Sequence, residues 1–195
     1  SSAEKVKLAS SAANATAGTA IDLGTGWTGT KHSVSRGGDV KLTAENTTVN
    51  TVIAKPANEG AVAGSVGIGA SVALNIANTV TVAELEGGVV LTGAKDLILS
   101  ATSDNSVITT AKAGGAATGG SGVGIGGAIG ISVVNNETRA VLGTALLPTD
   151  TQTVTGNLRA VATHTGSTLT SADGSAGGAS AGIGMALGLT VVSDS

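Results

Sequence analysis

Along three stretches of this chain, large apolar residues alternate with small ones, position by position. In residues 122–136, GVGIGGAIGISVVNN, one side carries Val123, Ile125, Ile129, Ile131 and Val133, and the other carries Gly124, Gly126, Ala128, Gly130 and Ser132. Residues 66–78 repeat the pattern, with Val66, Ile68, Val72, Leu74 and Ile76 opposing Gly67, Gly69, Ser71, Ala73 and Asn75. Residues 181–193 repeat it again, with Ile183, Met185, Leu187, Leu189 and Val191 opposing Gly184, Ala186, Gly188 and Thr190. A period of two is the strand period. A helix would need apolar residues at i, i+3 and i+4, and would lose about 1 kcal/mol for each interior Gly relative to Ala. Glycine weakens a strand as well, unless another backbone uses the vacated space. The pattern therefore predicts long strands with one aliphatic face and one Gly/Ala face. The second face should lie unusually close to a neighbouring sheet or chain.

The parts recur in a fixed order. DVKLTA from Asp39, DLILSA from Asp96 and NLRAVA from Asn157 head three copies. After each head comes a Thr/Ser/Asn-rich run (residues 45–51, 102–110 and 163–170), then a Gly/Ala patch, then the alternating stretch. A fixed period of tens of residues marks a stacked repeat architecture. The chain divides into a lead-in or end of a preceding repeat (1–38), repeat 1 (39–95), repeat 2 (96–156) and an incomplete repeat 3 (157–195). Further β runs at 79–85 and 138–142 follow the first two alternating stretches. Short strands follow turns at Gly87-Gly88 and Pro148-Thr149-Asp150. With about three strand groups per repeat, runs of about 19–20 residues would each suit one coil, giving three coils per repeat. The expected fold is all-β: a repetitive β-solenoid-like or stacked-sheet shaft built from repeats of about 57–61 residues.

Composition narrows this reading. There are 31 Gly, one Trp, no Phe and no Tyr; charged residues make up 12% and hydrophobic ones 41%. Such a chain buries apolar surface in thin layers, without the large side chains that fill a thick core. A net charge of −3 and scattered basic residues argue against nucleic acid, which needs clustered Lys and Arg. With no Cys, disulfides and thiolate metal sites are excluded. Residues 60–83 and 113–136 are uncharged and long enough to span a bilayer as helices. The alternation, the embedded Asn75, Asn78, Asn135 and Asn136, and the lack of flanking aromatic or basic clusters argue against membrane insertion. A transmembrane barrel would need aromatic girdles that this chain lacks. The opening SSAEKVKLASS has no apolar core of a signal peptide, so for an exported protein the signal would lie outside this chain, which reads as a fragment of something longer.

The ordered set GGDVKLTAEN, GSVGIGASVALNIANTVTVAELEGGVVLTGAKDLILSATSDNSV, GGSGVGIGGAIGISVVNNETRAVLG and GNLRAVATHT resembles the repeats of filamentous-haemagglutinin-like and leukotoxin-type bacterial surface adhesins. It covers residues 37–195. The resemblance implies secretion to the bacterial cell surface or medium, an elongated β-rich shaft, and a role in attachment or biofilm. It implies no catalytic residues and no cofactor. The expected partners are neighbouring repeats or copies of the chain through strand edges, and a host or matrix surface. A self-assembling filament subunit and a carbohydrate- or ice-binding module are the alternative functions.

No constellation in the sequence reads as chemistry. Gly122–Gly127 lacks the βαβ frame of a dinucleotide turn. His32 and His164 are isolated and read as surface histidines without a catalytic or metal role. No GxSxG elbow occurs, and Asp150 reads as a turn residue. The acidic residues form no calcium-loop pattern; turns near Asp39 or Asp104 are where weak calcium binding would be sought. Trp27, the sole aromatic, reads as a local packing plug, with sugar stacking as the alternative. Asn14, Asn46 and Asn136 head triplets of the glycosylation type, which arise by chance in a Thr-rich chain. The runs Thr79-Val80-Thr81 and Thr151-Gln152-Thr153 have the look of ice-binding arrays but are out of phase with the repeat.

Overall fold

In a computed structural model of the chain, the residues described are 2–8, 13–15, 20–22, 28–30, 33–35, 38–56, 61–85, 90–142 and 152–195. Their regular structure is entirely β. The strands are β1 (Ser2–Leu8), β2 (Ala13–Ala15), β3 (Ala20–Asp22), β4 (Thr28–Thr30), β5 (Ser33–Ser35), β6 (Val40–Ala54) and β7 (Ala61–Ala63). They continue with β8 (Val66–Leu85), β9 (Val90–Ala94), β10 (Leu97–Ala117), β11 (Val123–Leu142), β12 (Gln152–Val154), β13 (Leu158–Gly178) and β14 (Ala181–Asp194).

Three sheets result. Sheet A has the order β14-β11-β8-β1-β2, sheet B the order β13-β10-β6-β3 with β7 beside β10, and sheet C the order β12-β9-β5-β4. Every pairing between the long strands is parallel. Among the described residues, the antiparallel pairings are those made by β2, β3 and β4, all near the start of the chain. From β6 onward the chain visits sheets B, A and C in turn and then returns to B. Hydrogen-bonded partners are one repeat apart: Leu97 pairs with Val40 and with Leu158, and Gly124 pairs with Gly67 and with Gly182.

The structure differs from two of the sequence expectations. A repeat does not divide into three runs of about 19–20 residues that stack on one another. Instead it supplies one long strand to sheet B, one to sheet A and a short one to sheet C. The runs 79–85 and 138–142 are not separate elements either. They are the ends of β8 and β11, because nothing in the chain between Asn78 and Leu85, or between Asn136 and Leu142, interrupts the extended backbone. The turns expected at Gly87-Gly88 and Pro148-Thr149-Asp150 lie outside the described residues. Gly93, in β9, has φ 72°, a conformation that favours glycine.

Sheets A and B lie face to face, and the space between them tapers along the strands. At the wide end, Val40, Leu42, Leu97 and Leu99 of sheet B meet Leu85 of sheet A, and Leu91 and Ala94 of sheet C close the gap. All are essentially inaccessible to water, and full burial of each Leu contributes about 1.5–3 kcal/mol. Next comes a polar tract of Ser, Thr and Asn, then a layer of Ala73, Ala111, Ala113 and Ala128. At the thin end glycines face one another. A Cβ built on Gly69 would collide with the carbonyl oxygen of Gly114, one on Gly126 with that of Ser175, and one on Gly124 with those of Gly177 and Gly115. The sheets are therefore closer here than the usual ~10 Å spacing. The Gly/Ala face thus packs against a neighbouring sheet, as its composition predicts.

Candidate functional sites: the faces, the polar interior and the open edge

The strand period puts the aliphatic residues of sheet A on the outside. Each outward position of β11 is flanked in register by one of β8 and one of β14, so like residues line up across the strands. The rows are Ile68/Ile125/Ile183, Val72/Ile129/Leu187, Leu74/Ile131/Leu189 and Ile76/Val133/Val191. Val72 is 62% exposed, Leu74 53% and Leu187 56%. One row breaks the series: Ala70/Gly127/Met185. A Cβ on Gly127 would meet nothing within 4 Å. A shallow recess of about 340 Å³ lies over this row, lined on its flanks by Val72, Ile129 and Leu187.

The outer face of sheet B has a different chemistry. There Glu45, Thr102 and Thr163 form one row, and Thr47, Asp104 and Thr165 the next. Asp104 is exposed in the middle of β10, not at a turn as expected, while Asp39 directly precedes β6. The strand pair thus has one aliphatic outer face and one hydroxyl-rich outer face, with the small residues enclosed between them.

The polar tract inside is hydrogen-bonded from strand to strand across the two sheets. Thr190 Oγ1 donates to Thr170 Oγ1, Thr170 to Ser132 Oγ, and Ser132 to Thr109 Oγ1, each at 2.7 Å. Asn75 Nδ2 donates to the carbonyls of Asn50 and Ile108, at 3.4 Å each. Such a buried hydroxyl or amide costs free energy unless it is paired, and here its partners come from the facing sheet and the neighbouring strand.

His164 belongs to this tract. The sequence reading puts it at the surface; instead its ring points inward, with 20% of the side chain exposed. Its sequence position hides this, because its partners are distant in the chain. Nδ1 lies 2.6 Å from Ser103 Oγ, and Nε2 lies 3.4 Å from Asn136 Nδ2 and 3.5 Å from Asp194 Oδ1. Ser103 Oγ is 2.8 Å from Thr138 Oγ1, and Asn136 Nδ2 donates to Asp194 Oδ1 at 2.8 Å. With the proton on Nδ1, His164 donates to Ser103, Ser103 donates to Thr138, and the Asn136 amide donates to both Nε2 and Asp194, while Nε2 and Asp194 Oδ1, both acceptors, are bridged by that amide and share no bond of their own. Ser, His and Asp thus come together, yet the arrangement differs from a nucleophilic triad. Ser103 is 1% exposed, which closes its hydroxyl to a substrate, and Asp194 Oδ1 stands 3.5 Å from Nε2 with the Asn136 amide donating to both. The alignment of repeats did carry a signal: Asn46, Ser103 and His164 occupy one register column, polar in all three copies.

The other singled-out residues are dispersed. Gly122 directly precedes β11, and Val123–Gly127 form its first residues. Thr79 and Thr81 point inward, at 3% and 0% exposure, and so present no array to ice. Asn46 and Asn136 are buried, which closes both to a glycan in the folded chain. Trp27, His32, Asp150 and Thr151 lie outside the described residues, as do the side chains of residues 2–35. Among the described residues no group of three His, Cys, Asp or Glu side chains is placed to hold a metal ion, and no helix is long and apolar enough to cross a membrane.

The last strands of sheets A and B form an open edge. Among the described residues, β13 and β14 each have a hydrogen-bonded neighbour on one side only, along 21 and 14 residues. Inward residues at this edge, such as Leu158 at 52%, are as exposed as outward ones. Compared with protein-family models, curated proteins and solved structures, the chain matches none.

Proposed function

We propose that this chain is a structural and adhesive repeat segment of a secreted bacterial surface fibre. On this reading the repeats wind as a β-solenoid-like shaft with one coil per repeat. The observation that carries the reading is the in-register parallel pairing one repeat apart, in which all three copies add a long strand to sheet B and one to sheet A, and the first two also add a short parallel strand to sheet C. The mechanism is mechanical. Tension along the stacking direction is shared among the ladders of all three sheets, and each coil buries the face of the one before it.

The architecture is tested by inserting extra copies of residues 96–156 and measuring the maximum dimension by small-angle X-ray scattering. One coil per copy lengthens the particle by about 4.8 Å each, with an unchanged cross-section. Lengthening by about three times that amount, or a second globular body, refutes the winding. The adhesive role is tested separately, by retention of chain-coated beads under flow on matrix-coated and bare surfaces. Retention no greater than that of uncoated beads removes adhesion and leaves a shaft.

A further inference from the structure

Pairing between repeats does not explain the outer face of sheet A. That face is inverted relative to ordinary half-buried sheets, which turn their aliphatic side inward and their polar side to water. We infer that the aliphatic face of sheet A is a lateral docking surface for a second copy of this chain, packed face to face.

Three observations point to a second copy. First, the area is large. The outward residues from Val66 to Val191 expose about 1,000 Å² of apolar surface, the share of β14 including its strand edge, which exceeds the ~300–600 Å² of the largest patch on a typical monomer and is of the order of the ~800 Å² each partner contributes to a stable interface. Second, the face carries no charge in its rows from Ile68/Ile125/Ile183 to Ile76/Val133/Val191, so two copies meet without repulsion. The nearest charges, Glu137 and Arg139 at the wide end, are already paired within the chain. Third, the relief is self-complementary. The row Ala70/Gly127/Met185 holds a recess lined on β8, β11 and β14, with the smallest side chains at Ala70 and Gly127 and a 64% exposed methionine, part of the lining, at β14. A two-fold axis running along β11 lays β14 of one copy over β8 of the other. Each Met185 then sits over the recess at Ala70 and Gly127 of its partner, twice by symmetry, as an isologous interface requires. Methionine suits such a gap because its chain is flexible and polarizable.

The inference does not rest on the shaft reading, and the test separates the two. The 195-residue chain is examined by sedimentation velocity at about 100 μM, with far-UV circular dichroism as the check on folding. The expected result is a dimer for the wild type and at least a tenfold weaker dimer for Leu187→Glu, whose side chain already faces solvent. Ala70→Lys and Met185→Glu should each weaken the dimer, and the double variant should recover at least tenfold, because the two-fold axis sets the lysine over the partner's glutamate. A control substitution on the other outer face, Thr102→Glu, should leave the dimer intact. A monomeric wild type at this concentration overturns the inference. A dimer insensitive to Leu187→Glu also overturns it, since association would then run through the strand edges. A monomer that floats with phosphatidylcholine vesicles overturns it in favour of a lipid surface.

Discussion

Adjacent glycines in β11 should respond to the same substitution with opposite signs. Gly126 points between the sheets, where a Cβ would collide with the carbonyl oxygen of Ser175 and lie 2.9 Å from its carbonyl carbon. The obstacle is backbone held by its own ladder, so no side chain can swing away. To restore an ordinary contact of 3.4 Å or more, sheets A and B must separate locally. Forcing one extra carbon into a close-packed interior costs about 1–3 kcal/mol, and the upper end applies where backbone must move. Gly127 points outward, with nothing within 4 Å of its Cβ position and no positive φ. Alanine there keeps the native conformation and reduces the freedom of the unfolded chain, which stabilises by about 0.4–1 kcal/mol. The two variants should therefore differ by about 3 kcal/mol. In a chain of this length that corresponds to a separation in melting temperature of about 6–12 °C. The assay is urea or thermal denaturation of Gly126→Ala and Gly127→Ala followed by far-UV circular dichroism, with Gly126→Val as the severe case. Equal stabilities, or a Gly126→Ala protein at least as stable as wild type, would refute the close approach of the two sheets.

The remaining predictions concern the wide end and the polar tract. Leu99→Ala removes a fully buried side chain from the cluster that sheet C closes, and should cost about 2–5 kcal/mol in a denaturant titration; a cost near zero would mean that this end is not packed around Leu99. Ser132→Ala breaks the hydroxyl chain at its centre, leaving Thr170 without an acceptor and Thr109 without a donor. The loss should be about 1–3 kcal/mol by the same titration, and a change within about 0.5 kcal/mol would show that those hydroxyls do not depend on one another.

The strands and the close-packed glycine face were legible because both follow from a period of two and from what glycine permits. The distribution of a repeat's strands among three sheets was not. A strand's sequence gives its faces but not its pairing partner, and continuous strands of 20 and 21 residues, such as β8 and β10, exceed the usual five or six. Nor did the pattern say which face of sheet A turns outward. Hydrophobicity alone would bury Ile125 and Ile131 and expose Gly124 and Gly126. The opposite arrangement wins here because the small face can approach sheet B closely, and because the hydroxyls of Ser132 and Thr190 share that face and find partners there. His164 was misplaced for a related reason. Its contacts with Ser103, Asn136 and Asp194 span separations that only the parallel register brings together.

The register itself needs an explanation, since aliphatic rows as uniform as Ile68/Ile125/Ile183 and Val72/Ile129/Leu187 discriminate poorly between one alignment and another. A slip of one residue is costly in any sheet, because it exchanges the two faces. A slip of two keeps the faces and would leave the outer rows almost as apolar as before. The interior forbids it. Moving β11 by two residues against β10 and β13 would take Ser132 away from Thr109 and Thr170, and Asn136 away from Asn105 and His164. Buried hydroxyls and amides would lose their partners at about 1–3 kcal/mol each. At the thin end the same slip would set Ala128 where Gly126 now lies, so that its Cβ would collide with the backbone of Ser175. Polar residues and glycines, both poor contributors to a hydrophobic core, are thus what make one alignment of these repeats distinct from its neighbours. The leucine cluster at the wide end supplies most of the cohesion, and the tract behind it supplies the specificity.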